Sequence, residues 1–519
     1  MKVMEAMNFP VKFVNWVLML HEGATTRFIL NFLTDPIRVL FSIRQGDPLS
    51  MILYIIYIEP LLMMIKRMTK GLNVSFVSQR DEDYCDDVNF VGESINDLII
   101  IDEIFINFEA ISGAILFRSE KSKVMGLGPW RGKQDWPFPW MKVVTMVKMF
   151  GFQITPVFRQ TLELSWDTCY AGFQRTVMSW SSRQLNTMVQ RVEVLRLFAT
   201  SKLWYKASAL PLPTKFCKKF ESLMGRFLWV GKLERLKIDE IKNLCSQGGL
   251  GLPCVFSKSN ALFLSQTCRL LLNSNSNQFG HIKYWLGIHL REYFPGMADR
   301  PHAELISPYF QHMRLLLVEG LVLNDNNAGE LRKVSAKSLY LEYTTSFPPP
   351  KVVFKFDIEW QMVWERLDSP VLDPKAREYL FMIINNIVPN RDRLYQKMNM
   401  VNSPCCTLCN VREDNAHFFT ECILVREAWG WIRLRLLSLL PDDSARTSNF
   451  EFLNLMFVKH VMDKEVVWLI GTAVEFIWAE KVMRNRKVKV EHLIGHMKLQ
   501  YKANYFSNKP ELGYIIGIA

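Results

Sequence analysis

From Phe13 to Leu20 apolar residues recur at helical spacing, which predicts a short helix near the start of the chain. Phe28 to Leu33 and Ile37 to Ile43 read as short strands around a Thr34-Asp35-Pro36 turn, and Met51 to Lys66 reads as a mostly buried helix. A strand-like run, Leu72 to Ser78, is followed by the polar residues 79 to 83 and the apolar Val88-Asn89-Phe90-Val91. Residues 1–160 thus alternate helical and strand patterns. From Trp166 to Leu272 the pattern turns helical, with Trp, Leu and Phe at three- and four-residue intervals and a Gly248-Gly249-Leu250-Gly251 turn. The polar run Asn273-Ser274-Asn275-Ser276-Asn277 and the segment Phe347-Pro348-Pro349-Pro350 mark linkers. Helical patterns resume after Pro350 and end in a Trp-rich, basic helix from about Val466 to Tyr501. The expected class is α+β, in four stretches: a mixed α/β region 1–160, a helical region 161–275, a connector 276–350 and a mainly helical region 351–519.

Composition narrows the class. Hydrophobic residues make up 49% of the 519 and charged residues 22%, the balance of a folded chain. Sixty-three Lys and Arg against 51 Asp and Glu leave a formal charge of +12, which favours polyanionic partners. The longest apolar stretch, Met51 to Ile65, is interrupted by Glu59 and Pro60 and is shorter than the ~20 residues a membrane helix needs, so no membrane partner is expected. The first 22 residues lack the pattern of a secretory signal, and an intracellular setting, nucleus or cytoplasm, follows. Ten cysteines are too sparse for a disulfide scaffold. Four of them crowd between Cys405 and Cys422.

Within that crowd Cys406, Cys409, His417 and Cys422 give the spacing C-x2-C-x7-H-x4-C. Two thiolates on a tight turn, with an imidazole and a thiolate on a following helix, can close a tetrahedral shell, and four protein ligands mark structural rather than catalytic zinc. Cys405 is an alternative first ligand at x3 spacing, and buried free thiols beside a core histidine are the alternative to metal.

A second constellation lies upstream. Tyr84-Cys85-Asp86-Asp87 stands between the strand-like runs, and two adjacent carboxylates at a hairpin tip offer hard oxygen ligands to magnesium, which bridges carboxylates and substrate phosphates. A solvated turn is the plainer alternative, because Asp is a favoured turn residue. Before it comes Arg44-Gln45-Gly46-Asp47-Pro48-Leu49-Ser50, where Gly46 permits close backbone approach to a ligand as the chain enters an apolar helix.

Followed in order by Ser112-Gly113-Ala114, Lys121-Ser122 and Val147-Lys148-Met149-Phe150-Gly151-Phe152, these motifs resemble the reverse transcriptase of non-LTR (LINE-type) retrotransposons. The resemblance implies a polymerase palm in which Gln45, Gly46, Pro48, Ser50 and Tyr84 contact the incoming nucleotide and template. It implies catalytic roles for three residues: Asp86 coordinating Mg2+, Asp87 supporting the metal site, and Lys121 neutralising or protonating the leaving pyrophosphate. Val147 to Phe152 would be the primer grip. Cys85 stands where the family usually has Ala or another small residue, and Phe117 stands where it has Asn, with one residue inserted nearby. Trp180, Phe227-Leu228-Trp229 and Gly248 to Leu252 look like the helical thumb-like region of that family, although aromatics at such spacing also read as helix packing. Asn385 to Leu394 and Trp429 resemble the zinc-binding module found downstream of such enzymes, where it is thought to help hold template.

The family places a third carboxylate in an earlier apolar-x-Asp-Phe-x-x-Ala-Phe-Asp pattern. Only Glu5, Glu22 and Asp35 precede Arg44, and none stands in such a pattern. The resemblance therefore implies an RNA-directed DNA polymerase by descent, a fragment truncated at the N-terminus that lacks polymerase activity alone. Its expected partners are an RNA template, a DNA primer and the remaining N-terminal part of the same element. The alternative is a non-catalytic nucleic-acid-binding remnant. Lys481, Arg484, Arg486, Lys487 and Lys489 place five cations in nine residues near Trp468 and Trp478, a stripe suited to phosphate contacts or to a solvated helix face.

Overall fold

The helix Ser50–Met68 carries a stripe of Ile58, Leu61, Leu62 and Ile65 at three- and four-residue steps. That stripe closes against Ile104 and Phe108 of the helix Ile95–Ser112, where Tyr57 meets Phe108 edge-on at 5.5 Å. Met51, Ile52 and Ile55 remain exposed, so the expected burial of this helix holds for its C-terminal half. The computed structural model describes residues 2–27, 33–38, 48–74, 77–79, 81–84, 87–113, 122–138, 141–183, 185, 187–230, 236–245, 248–273, 276–290, 306–320, 334–345, 360–437, 464–484 and 486–503.

Polar caps set the ends of these two helices. Ser94 accepts a hydrogen bond from the Asp97 amide at 3.2 Å, and Gly113 closes the helix at φ +71°. Buried Asp97 accepts from the Lys70 amide at 3.0 Å, which ties the exit of one helix to the first turn of the other. On this pair rests an antiparallel hairpin, Asp81–Tyr84 with Asp87–Phe90, whose Val88 and Phe90 pack on the two-helix core. The expected single strand at Leu72 to Ser78 is instead a hairpin of its own, Leu72–Val74 against Val77–Gln79. A further hairpin joins Val147–Met149 to Phe152–Ile154, with Phe150 and Gly151 at φ +50° and +79°. Two successive left-handed residues match the right-handed twist of the strands they connect. All sheets among the described residues are two-stranded, so this α+β chain is mostly helical.

By its contacts the chain divides into two units, 1–165 with 267–333 and 166–266 with 334–519. Each unit is discontinuous, whereas the sequence reads as four consecutive stretches. In the first unit the expected connector contains helices, Asn277–Leu290 and Pro308–Gly320, with Trp285 stacked on Phe310 at 5.6 Å. The polar run before them serves as a helix boundary, where Ser276 accepts from the Phe279 amide at 3.1 Å.

The second unit has an aromatic centre. Phe220, on the helix Thr214–Trp229, meets Trp166, Tyr170 and Phe173 at ring distances of 6.2, 5.4 and 5.1 Å. The Trp166 indole donates to the Pro211 carbonyl at 2.8 Å. The glycine turn folds back on itself: Gly249 lies so close to Asn243 that a Cβ there would fall 2.0 Å from the Asn243 carbonyl oxygen. Further along, the helix Lys464–Trp478 is buried from Glu465 to Trp478, and Trp478 stacks on Tyr379 of Pro374–Ile384 at 4.7 Å. The expected continuous helix from Val466 to Tyr501 is interrupted: the first helix ends in a wider turn over Ala479–Met483, and a second helix begins at Val490. No helix among the described residues is long and apolar enough to cross a membrane.

Burial of Glu475 within this unit, aided by repulsion from Asp373, pushes its carboxyl up to about 7 from 4.5. The protonated form is therefore favoured by folding. Its contribution is complete below pH 4.5 and is lost as pH rises through 7. We expect Glu475→Gln to melt above the unsubstituted chain at pH 8.5, by on the order of 3 kcal/mol, and to converge with it near pH 4 in parallel urea titrations. A constant difference across that range would contradict the titration.

Candidate metal centre

The loop that carries Cys406 and Cys409 folds by backbone geometry. Cys405 and Arg412 form an antiparallel bridge, the Cys406 amide donates to the Val411 carbonyl at 2.7 Å, and the Asn410 amide donates to the Cys406 carbonyl at 2.9 Å. Asn410 adopts φ +57°, a left-handed position that Asn tolerates. The Glu413 amide closes the loop on the Pro404 carbonyl at 2.9 Å. Asp414 then receives the His417 amide at 2.9 Å and starts the next turn.

That turn differs from the expected α-helix. Residues His417–Glu421 form a π-turn, in which the Cys422 amide donates to the His417 carbonyl at 2.9 Å. On an α-helix, residues five apart diverge by about 140°. The wider turn brings His417 and Cys422 to one side, where they face the loop cysteines. All four ligand atoms lie within 4.8 Å of one another. The Cys422 sulfur is 4.0 Å from that of Cys406 and 3.9 Å from that of Cys409. Zinc–sulfur bonds of about 2.3 Å in a tetrahedron require sulfurs about 3.8 Å apart, so the spacing fits the ion.

The donor atoms fit it as well. His417 Nε2 is buried without a hydrogen-bond partner, as expected of a nitrogen whose lone pair is reserved for metal. The Ile423 amide donates to the Cys409 sulfur at 3.5 Å, and this contact draws the Cys409 thiol below its ordinary value. Burial pushes the Cys422 thiol up to about 11. Cys405 is not among the converging residues, which are Cys406, Cys409, His417 and Cys422.

The surrounding polar network braces the loop. Asn415 accepts from Asn390 at 2.8 Å and donates to Asn386 at 3.1 Å, and Arg412 grips Asp392 through two contacts of 2.9 Å. Glu413 accepts the Arg391 amide at 2.9 Å. Sequence reasoning missed Glu413, one of two adjacent acids inside the x7 spacer with no motif to flag it. Of the five basic residues, Lys481 is turned inward and donates to the Phe418 carbonyl at 2.9 Å. Arg484 pairs with Glu480, and Lys487 with Glu427 at 2.7 Å. Arg486 and Lys489 are exposed, in the break between two helices rather than along a helical stripe.

The polymerase motifs are described in part. Pro48 lies in the turn before the helix that Ser50 begins, and Tyr84 pairs with Asp87 at the end of the hairpin ladder. Gln45, Gly46, Asp86 and Lys121 lie outside the described residues.

A comparison with known protein families falls on the same region. A family profile for zinc-binding in reverse transcriptase matches residues 335–429 and so includes all four ligands. The Transposon TX1 uncharacterized 149 kDa protein of Xenopus laevis is 27% identical over 294 residues, which is 53% of this chain and 21% of that protein. The chain thus aligns with about a fifth of its relative's length. The metal assignment predicts one zinc per purified chain by mass spectrometry, lost in the double variant Cys409→Ser, His417→Ala together with several degrees of Tm. A chain that carries no metal would refute it.

Proposed function

We propose that the chain is a retrotransposon-derived, reverse-transcriptase-like protein with a zinc-binding module, and that it holds an RNA template and a DNA primer for template-directed deoxynucleotide addition. The observation that carries this reading is the coincidence of the four converging ligands with the reverse-transcriptase zinc profile. Zinc would cross-link this loop and turn, which the Val488 amide meets at the Leu424 carbonyl in the segment that carries the exposed Arg486 and Lys489. Such cations grip phosphates without regard to sequence.

At the other end, the hairpin bearing Tyr84 and Asp87 is braced on the helices Ser50–Met68 and Ile95–Ser112 through Val88 and Phe90. A rigid seat is what positioned carboxylates need. Asp86 and Asp87 would hold magnesium, which neutralises charge on the phosphates of an incoming nucleotide. Val147 to Phe152, in the hairpin described above, would steady the primer end, and Gln45, Gly46, Pro48 and Ser50 would line the nucleotide. The third carboxylate of this chemistry has no counterpart among Glu5, Glu22 and Asp35. With the Asp86-Asp87 pair and no third carboxylate in pattern, the 519 residues are expected to hold nucleic acid without extending it.

Fluorescence anisotropy with a recessed RNA template–DNA primer tests this, followed by addition of magnesium and deoxynucleotides. We expect binding that weakens linearly with the logarithm of salt concentration, survives Asp86→Ala and leads to no extension. Extension abolished by Asp86→Ala would reveal a complete polymerase, and absence of binding at low salt would overturn the reading.

A further inference from the structure

Lys481 was legible in the sequence as one of five surface cations, yet only 8% of its side chain is exposed. Its ammonium lies 4.0 Å above the Phe418 ring and donates to the Phe418 carbonyl, the residue next to the ligand His417. The wide turn Ala479–Met483 puts it there. Glu413, 9% exposed, stands 3.8 Å away, with its other oxygen taken by the Arg391 amide. Lys481 also acts electrostatically on Cys409 and on Cys422.

Charge counting gives this placement a purpose. Three thiolates, a neutral imidazole and a divalent zinc sum to one net negative charge. Cys406, His417 and Cys422 are 4%, 5% and 0% exposed, so most of that charge is shut away from water. An uncompensated buried charge is costly, and a compact ammonium nearby is an effective remedy. Glu413 makes a competing demand on the same ammonium.

We propose that Lys481 is a positioning residue of the zinc shell, whose buried ammonium offsets the net negative charge of zinc with three cysteines and one histidine. The proposal rests on the zinc reading of these four ligands. It also assigns Lys481 away from phosphate contact. Loading of zinc and seating of the Lys464–Met483 segment then reinforce one another, because the same side chain serves both.

The test is zinc affinity of the full chain, measured by competition with a chromophoric chelator, for three single variants. Lys481→Gln keeps a donor for the Phe418 carbonyl but no charge, Lys481→Arg keeps the charge, and Glu413→Gln removes the competing anion while keeping an acceptor for the Arg391 amide. We expect Lys481→Gln to bind zinc at least about tenfold more weakly, Lys481→Arg to recover most of the loss, and Glu413→Gln to bind as tightly as the unsubstituted chain or more so. The proposal falls if Lys481→Gln stays within about twofold of the unsubstituted chain, or if Lys481→Arg is no better than Lys481→Gln, a purely steric pattern. It falls equally if Glu413→Gln loosens zinc, a result that decides even where Lys481→Gln fails to fold. An unsubstituted chain that takes up no zinc would instead remove the metal assignment itself, and the proposal with it.

Discussion

Three sulfur atoms and an unpartnered imidazole nitrogen crowd into less than 4.8 Å of one another, and much of the C-terminal unit is arranged around that fact. Left as neutral thiols, these groups would make a poor core, since they pack few contacts and leave a buried nitrogen unsatisfied. As zinc ligands they become a cross-link between a loop and a turn that share little apolar surface. The consequences spread outward. Asn386, Asn390 and Asn415 link the preceding segment to the loop, Phe418 and Phe419 lie against Trp478, and the Val488 amide bonds to the Leu424 carbonyl just beyond Cys422. A short cysteine-rich stretch thereby meets Trp478 and Val488, far along the chain.

The first unit is organised on a different principle. No ligand shell is needed to hold its hairpin; two helices do so through an apolar stripe and a buried carboxylate, Asp97, that joins their ends. The supporting layer is made of ordinary packing, and the described strand residues Tyr84 and Asp87 belong to the hairpin it carries.

Legibility followed the range of the interactions. The helix Ser50–Met68 was visible because its period is local, and the ligand spacing because zinc demands few residue types at short intervals, whereas the strand Asp81–Tyr84 was hidden in a polar run without apolar alternation. The π-turn at His417 was not, since an α-helical pattern and a wider turn have the same composition over five residues. The fate of Lys481 was hidden for a plainer reason: its partner Phe418 is 63 residues away, and nothing in a run of cations distinguishes the one that turns inward. The helices between 277 and 320 escaped notice because their apolar positions show no dominant stripe, and their aromatic contacts form only once the chain is folded. The hairpin at Leu72–Gln79 reads as one strand in the sequence because two short strands joined tightly give nearly the same run of residues as one long strand.

The second unit is assembled from two separated stretches, and contacts across that gap are specific: the Met188 amide bonds to Glu378 at 2.8 Å and the Cys254 amide to Tyr340 at 3.1 Å. A ribosome makes these pieces in sequence. Met188 and Glu378 are 190 residues apart, so at typical elongation speeds of about 5 to 20 residues per second the earlier half waits roughly 10 to 40 s for its complement. During that interval the faces of 166–266 that belong against 334–519 have no native cover, which makes the nascent chain a natural client for chaperones and makes the pace of translation part of how this protein reaches its fold.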